Sequence, residues 1–572
     1  MKLVIAEKPS VGVSIAKVIE ANQRRDGYFE GNGYLVSWCV GHLVRMANPD
    51  KYDEKYAKWK IDDLPIFPEE YLYELNPKTR KQFTLLKNLM ADKRIDTIVN
   101  ACDAGREGES IFRLVYNHAK CKKKVQRLWI SSLEDQAIME GFEKLKDGSD
   151  YESLFESSQA RSIADWLVGM NLSRLYSCLY SQSYSVGRVQ TPTLNMIVER
   201  DSEIENFQKE KYYTVEIQGN DISLSTERID DYAVAEQLRN LIDEKIVITE
   251  VENKEKITRP DKPYDLTTLQ REANKVFGYS ARKTLDIAQK LYEKKLITYP
   301  RTDSRYLTED MKSKIQKLLG QLEEGYEADD KSFLSIFDDS KVTDHYALIP
   351  TSSANFKLLS DLSSDEKNLY NLIKAKLLMA GSKPLIESTT KVIYEYDGFT
   401  FTANGKTVVD EGFTKHELKK RQPKEKALAN LSTGDELDVL DVVIQEKFTK
   451  PPQHFTEDTL LKAMEKAGTD TLDKGIKVER SGLGTPATRA GIIENLIYKG
   501  FVERDKKNLL ATHKGIALVA IVAEEFKSAE TTSNWEIKLS DIAKGKLSKD
   551  EFLEEIKEMI KETIDLYEKA KE

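Results

Sequence analysis

The chain has 572 residues, with 87 Lys and Arg against 96 Asp and Glu, a formal net charge of −9. That length is too great for one hydrophobic core and predicts about three to five units of roughly 100–200 residues each. Hydrophobic and charged contents of 40% and 32% exclude a disordered or fibrous chain, and the acidic total argues at first sight against a nucleic-acid partner. Cys39, Cys102, Cys121 and Cys178 share no C-x-x-C spacing, so neither zinc nor a disulfide framework is predicted. The apolar stretch 516–523 falls far short of a membrane span of about 20 residues. The run 3–6 stops at Glu7-Lys8, too short for a signal-peptide core. A cytoplasmic protein without a membrane partner is expected.

The first 140 residues alternate between strand and helix signals. The run 3–6 reads as a strand, followed by a helix to Ala21 with Ser10 as its N-cap. Further on, 96–102 reads as a strand, 110–119 as a helix and 125–131 as a strand. This order predicts a parallel sheet with helices on both faces, whose functional groups gather past the C-terminal strand ends, where Glu7 and Asp103 fall. From 151 to about 208 the pattern is helical, with Ile163, Leu167, Met170 and Leu175 at helical spacing. Alternation marks 211–257, as in Tyr212-Tyr-Thr-Val-Glu-Ile, and returns in 386–448. These stretches predict one β-rich unit interrupted by a helical insertion at 264–385, an arch rather than a row of beads. The insertion opens with two helices around Gly278-Tyr279, the second capped by Ser280, and leads into the strand-like 296–299. A similar order recurs near the end, with a helix over 486–498, Gly500-Phe501-Val502 and a Lys506-Lys507 turn. That is the order of a winged helix-turn-helix, although a generic helical subdomain fits the spacing equally well.

Several segments hold residues suited to chemistry. In Cys102-Asp103-Ala104-Gly105-Arg106-Glu107-Gly108-Glu109, Asp103 and Glu107 stand about one helical turn apart after a strand, and Glu7 ends a neighbouring strand. Converging carboxylates repel unless a hard divalent cation neutralises them, and oxygen ligands suit Mg²⁺; solvated loop acids are the plainer alternative. Gly105 and Gly108 would let a phosphate approach the backbone. No Walker-type loop is present to support ATP chemistry. Tyr299-Pro-Arg301 pairs a possible nucleophile with a cation that could stabilise charge on a phosphate, but Tyr299 is one of 26 tyrosines, so position alone decides little. His345 follows Asp344 near a turn. Arg161 and Asp165 have i, i+4 spacing and could form a helix-face ion pair. Ser185-Val-Gly-Arg188-Val-Gln190 is a polar loop with one cation and an amide.

Taken together and in order, these segments resemble the type IA DNA topoisomerases. The likeness runs from Glu7-Lys8-Pro9-Ser10 and the Asp103-x-x-Arg-Glu-Gly-Glu loop of a Toprim domain through Arg161-x-x-x-Asp165 and Ser185-x-Gly-Arg-Val-Gln. It continues in Tyr299-Pro-Arg301-Thr-Asp and Asp344-His345, and closes with Gly482-Leu-Gly-Thr-Pro-Ala-Thr-Arg489 and Trp535-Glu536. The form of that closing motif is similar to the bacterial topoisomerase III branch. The resemblance implies a multidomain α/β, α and β architecture closed into a ring around a hole. Its parts are a Rossmann-like Toprim domain at 1–150, a helical base at 151–208 and 451–572, a β-rich arch at 209–258 and 386–450, and a helical tip at 259–385, with winged-helix-like elements in base and tip. The implied activity is ATP-independent relaxation, and decatenation as a further capacity, through a 5′-phosphotyrosine bond made by Tyr299. Arg301 holds the scissile phosphate, Lys8 and Glu7 lie at the leaving oxygen, and His345 orients the phosphate or sugar. Arg161, positioned by Asp165, grips a backbone phosphate, and Ser185, Arg188 and Gln190 line a single-strand groove. The implied substrate is single-stranded or negatively supercoiled DNA at the nucleoid or on a plasmid, with a helicase or single-strand-binding protein as a candidate partner and one chain sufficing for the ring.

One position departs from the family's Asp-x-Asp-x-Glu loop: Gly105 stands where the middle carboxylate belongs. Glu7, Asp103 and Glu107 remain as Mg²⁺ ligands for one or two ions, the second put in question by Gly105, with Glu109 nearby. The site is expected to bind Mg²⁺ more weakly, or to use a DNA phosphate as its remaining ligand; zinc and ATP are not expected. Two rivals stand beside this reading, a Toprim-type nuclease or primase and a cleavage-deficient single-strand-binding protein. The charge pattern removes the opening objection. Residues 321–340 carry seven acids against Lys331 and residues 551–572 eight against four lysines, whereas 259–307 around Tyr299 holds eleven Lys and Arg against six acids.

Overall fold

The apolar runs of the N-terminal region form the parallel centre of a seven-stranded sheet. Its order is Gln23–Arg25, Tyr28–Gly31, Tyr34–Trp38, Lys2–Ala6, Thr97–Ala101, Lys124–Arg127 and Lys146–Asp147. The four strands from Tyr34–Trp38 to Lys124–Arg127 are parallel, and antiparallel strands close both edges. Leu3, Val4, Ile5 and Ala6 are fully buried, as expected of a strand covered on both faces. Ala6 stands in register with Trp38 and Ala101, so Glu7, Cys39 and Cys102-Asp103 emerge together at one end of the sheet. The computed structural model describes residues 1–342, 344–419, 428, 431–468 and 482–569; the other positions, in the predicted tip, arch and base and at 570–572 of the acidic tail, lie outside the described residues.

Two helix starts differ from the sequence reading. The first helix spans Pro9–Val18 with Lys8, not Ser10, at its N-cap; Pro9 has no N–H to lose and a preset φ, so it takes the first turn and moves the start upstream. The second spans Arg106–His118 and begins from Gly105, whose φ of 145° is open essentially to glycine alone. That helix therefore begins inside the acidic loop.

Strands from either side of the insertion interleave in one antiparallel sheet, ordered Glu250–Thr258, Leu385–Tyr396, Phe399–Asp410, Ser223–Thr226, Lys211–Gln218 and Asp441–Phe448. One face buries Val215, Ile217, Leu224, Val392 and Phe401. The insertion folds around helices Leu266–Phe277, Ala281–Glu293 and Ser364–Ala380. Ser280 caps the second by accepting from the Lys283 N–H. Residues 296–299 form no strand. Ile297 makes an isolated bridge to Pro350, and Pro300 has no N–H with which to extend a ladder. Near the C-terminus the hairpin of Val502–Asp505 and Asn508–Ala511 turns at Lys506 behind helix Pro486–Tyr498, with Phe455–Thr456 as a third strand. Among the described residues a wing thus follows the later helix pair and not the earlier one.

Two apolar cores close the circuit. One joins helices Glu152–Tyr180 and Gln190–Glu205 to Ala529–Ala543 and Lys549–Lys569 through residues such as Ile163, Leu167, Leu194, Trp535 and Ile556. The other spans two distant parts of the chain, packing Val4, Ala6, Val11 and Ile15 with Leu269, Leu291, Ile297, Tyr299 and Leu348. The chain thus leaves the N-terminal sheet, passes through the long helix and the β unit, and returns to set the insertion on the place where it began. No helix among the described residues is long and apolar enough to cross a membrane.

Candidate active site

Tyr299 sits where the insertion meets the N-terminal sheet. Its N–H donates to the Ser131 carbonyl at 3.0 Å, and its phenol donates to Asp103 Oδ2 at 2.9 Å. Its ring lies 4.2 Å from the His345 imidazole and edge-on to Tyr292 at 5.4 Å. Burial, followed by the Asp103 charge, holds the phenol well above its ordinary pKa, with Arg301 opposing. Burial also works against charge on Arg301, but Tyr299, Asp103, Glu7 and Glu107 outweigh it and keep the guanidinium protonated. The buried Nε of Arg301 has no hydrogen-bond partner. A buried cation with an orphaned donor is costly to leave unsatisfied, and an anion placed beside Tyr299 would satisfy it.

Two of the predicted carboxylates, Glu7 and Asp103, meet at the sheet edge, and Glu107 and Glu109 are turned away. Glu7 is buried, and its Oε2 accepts from the Asp103 N–H at 3.3 Å. Burial and then the charge of Asp103 hold Glu7 well above the ordinary carboxylate range, against the pull of Arg301 and Lys8. A carboxylate pair of this kind is stabilised by a hard cation, so Glu7 and Asp103 fit the donor chemistry of Mg²⁺. Glu107 instead lies 2.8 Å from His42 Nε2, and that contact foremost lowers its pKa. Accordingly no three Asp, Glu, His or Cys side chains among the described residues are gathered closely enough to surround an ion. Glu109 faces inward to Arg113 at 2.9 Å, Arg127 at 3.2 Å and Asn100 at 2.8 Å, and is structural. Lys8 reaches across to Glu293 of the insertion, 3.9 Å away.

Both loop glycines answer a demand of the backbone. A Cβ on Gly108 would lie 2.0 Å from the Asp103 carbonyl oxygen, because the helix packs directly on that peptide. At Gly105 there is open space, and only φ demands glycine. The loop itself is held by Arg127, which the sequence reading missed. Its Nη1 donates to the carbonyls of Asn100, Cys102 and Leu128 at 3.0, 2.7 and 2.9 Å, and its Nη2 to that of Asp103 at 2.7 Å. The available signal was a lone cation inside an apolar strand.

The base residues form two clusters. Arg161 and Asp165 lie on one helix, but Asp165 does not pair with Arg161; Arg188 takes it at 2.7 Å from the following loop and also reaches Glu536 at 2.7 Å. Arg161 binds the other oxygen of Glu536. Burial pushes the Glu536 pKa up, yet Arg161, Arg188 and Arg106 outweigh it and hold it down to about 2. Arg188 is therefore fully enclosed in an ion network rather than facing a groove with its neighbours. Ser185 and Gln190 turn elsewhere, to Lys499 Nζ at 2.5 and 3.4 Å, and Asn495 Nδ2 donates to Gln190 Oε1 at 2.9 Å. Glu536, Asn495 and Lys499 were not singled out from sequence, although Glu536 stands in the closing motif. The Gly482–Arg489 motif joins base to insertion: Arg489 donates to the Leu483 carbonyl at 3.0 Å and to Thr267 Oγ1 at 2.9 Å.

Two stability predictions follow from this packing. Gly108→Ala should lower unfolding stability by about 1–3 kcal/mol through forced displacement of the Asp103 peptide, measured by urea unfolding; parent-like stability would contradict the close approach. Glu536 has a folded pKa below its unfolded value, so its ion-pair stabilisation is complete above about pH 4.5 and lost as pH falls through about 2. Glu536→Gln should cost roughly 3 kcal/mol at neutral pH, and the gap to the parent protein should narrow with acidification below pH 4.5. A gap independent of pH would refute the network as described.

Comparison with known proteins agrees with this geometry. A family model described as DNA topoisomerase matches residues 149–554, and one for the Toprim domain matches residues 2–133. The chain is 41% identical to DNA topoisomerase 3 of Bacillus licheniformis and 40% identical to that of Bacillus subtilis, in each case over 98% of this chain and 81% of the relative. Its fold is similar to that of full-length topoisomerase I from Thermotoga maritima, with a TM-score of 0.77 at 23% identity, covering 98% of this chain and 90% of the other. With the family matched over most of its length and two such relatives over nearly all of it, the chain belongs to the type IA DNA topoisomerases, in their topoisomerase III branch.

Proposed function

We propose that this DNA strand-passing topoisomerase uses Tyr299 to cut and reseal one strand, with the roles of its neighbours following from their placement. The observation that carries the reading is the Tyr299 phenol donating to Asp103 beside the orphaned Nε of Arg301. A single-strand phosphate seated on Arg301 brings phosphorus to the phenol oxygen. The Tyr299 O–P bond forms as the P–O3′ bond breaks, the phenol proton passes to Asp103, and the leaving 3′ oxygen takes a proton from Lys8 once that side chain leaves Glu293, with Glu7 beside the same atom. Arg301 offsets the charge that builds on the phosphate, and His345 orients it. The bond energy stays in the phosphotyrosine, so the reverse step reseals the strand without ATP.

The Toprim domain is a Mg²⁺-binding domain. Glu7 and Asp103, joined by Glu107 on release from His42, are the residues that would hold the ion. It would supply positive charge next to the scissile phosphate. With Gly105 in place of a third loop carboxylate, one ion is the better-supported count. Along the base, Arg161 grips a backbone phosphate while Glu536, shared with Arg188 and through it with Asp165, aims its guanidinium. Ser185 and Gln190, with Asn495 and Lys499, line the single-strand groove. The four-unit division at 1–150, 151–208 with 451–572, 209–258 with 386–450, and 259–385 gives the moving parts, the last lifting from the first while each holds one end of the cut strand. A single-strand substrate also implies a source of unpaired DNA, such as a helicase or single-strand-binding protein at the nucleoid or on a plasmid.

Tyr299→Phe should abolish covalent capture of a single-stranded oligonucleotide while leaving its binding within about twofold, since only one hydroxyl is lost; persistent adduct means the nucleophile is another residue. On negatively supercoiled DNA with Mg²⁺ and no ATP, the parent protein should yield a topoisomer ladder, where the rivals would give linear fragments or only a gel shift. Gly105→Asp should relax such DNA at lower Mg²⁺, at a stability cost of about 1–3 kcal/mol from an aspartate at φ 145°. An unchanged Mg²⁺ requirement counts against a missing ligand at this position.

A further inference from the structure

We propose that Ser131 is a positioning residue that holds the His345 ring by its Nδ1 across the contact between the Toprim domain and the unit bearing Tyr299. The inference rests on the roles given above to Tyr299 and His345. Ser131 lies just past strand Lys124–Arg127, and two of its atoms meet the opposite unit. Its carbonyl accepts from the Tyr299 N–H at 3.0 Å, and its hydroxyl lies 2.7 Å from His345 Nδ1. The other ring nitrogen, Nε2, lies 2.5 Å from the Ala104 carbonyl in the acidic loop. A carbonyl oxygen can only accept, so Nε2 carries the proton. Burial favours the neutral ring. Nδ1 then presents a lone pair, and the Ser131 hydroxyl must be the donor to it.

The result is a preset N–H donor whose ring is 4.2 Å from that of Tyr299. A phosphate oxygen arriving beside Tyr299 is an anionic acceptor, stronger than the neutral Ala104 carbonyl, and takes over a proton already in place. Without the Ser131 hydroxyl the buried Nδ1 lone pair loses its donor, and the ring is held from one side only. A ring free to tilt no longer keeps its N–H aimed where the phosphate arrives. Ser131 and Ala104 belong to the Toprim side and His345 to the other, so both bonds exist only while the two units are docked. When the units part for strand passage, His345 loses the partners that fix its proton, and it recovers them on closure. The donor is thereby tied to the closed state, in which cutting and resealing take place.

The test compares Ser131→Ala, Ser131→Thr and His345→Ala in the full-length protein. Single-turnover capture of a single-stranded oligonucleotide measures the chemistry, and ¹⁵N-histidine NMR measures the hydrogen bond at Nδ1, the His345 signal being the one missing from His345→Ala. Ser131→Ala should form adduct about tenfold more slowly, the effect of one lost hydrogen bond in the transition state, with oligonucleotide affinity unchanged. Its His345 Nδ1 signal should move toward that of an unbonded lone pair, and Ser131→Thr, which keeps the hydroxyl, should restore both readouts. Parent-like cleavage by Ser131→Ala, an unaltered Nδ1 signal, or a Thr variant as slow as the Ala variant each overturns the proposal. A His345→Ala variant that cleaves at the parent rate instead overturns the role of His345, while the NMR still reports on the Ser131 contact.

Discussion

The guanidinium of Arg127 is the contact on which the catalytic geometry depends. It is fully buried at the end of a central strand and donates to four backbone carbonyls, two of them in the acidic loop, while standing 3.2 Å from Glu109. An unpaired charge in that position would be severely destabilising; here the loop supplies the acceptors and Glu109 the counter-charge. The loop can satisfy Arg127 only by curling its carbonyls inward, which requires the φ of Gly105 and the bare Cα of Gly108. The same curl aims the Asp103 carboxylate outward at Tyr299. A structural cation thus fixes the anion that the Tyr299 phenol meets, and Glu109 is used up in the process.

The contacts around Tyr299 must also come apart. The face between the Toprim domain and the insertion combines an apolar cluster with ion pairs, among them Glu134–Lys314 at 2.9 Å and Asp135–Lys295 at 2.5 Å. The face between the insertion and the base is held by Arg271–Asp458 at 2.8 Å, the Ala281 N–H on Glu457 at 2.5 Å, and Arg489 on Thr267. Polar contacts suit a surface that separates and re-forms, because water can replace each one on opening while their directions enforce a single register on closure. The acidic excess follows the same logic. Much of it lies in 321–340 and the tail, away from the segment 259–307 around Tyr299, where Lys and Arg outnumber the acids.

The amino-acid sequence by itself determined the family, the parallel sheet and the interleaved β unit, and it singled out Glu7, Asp103, Tyr299, Arg301 and His345, which the fold brings together. These follow from local order: alternation, helical spacing, and motifs whose members are close neighbours in the chain. Sequence spacing did not decide pairing. Arg161 and Asp165 share a helix face, yet each has its partner elsewhere, and the Arg161 partner Glu536 lies 375 positions away. Glu107 and Glu109 are two residues apart, yet one meets solvent-side His42 and the other the buried Arg127. His345 is unremarkable until Ser131 and Ala104, more than 200 positions distant, close on its two nitrogens. Which opposite charge captures a carboxylate, and which nitrogen keeps a proton, depends on distance and burial after folding. Those are set by packing between remote segments, and only the tertiary structure contains them.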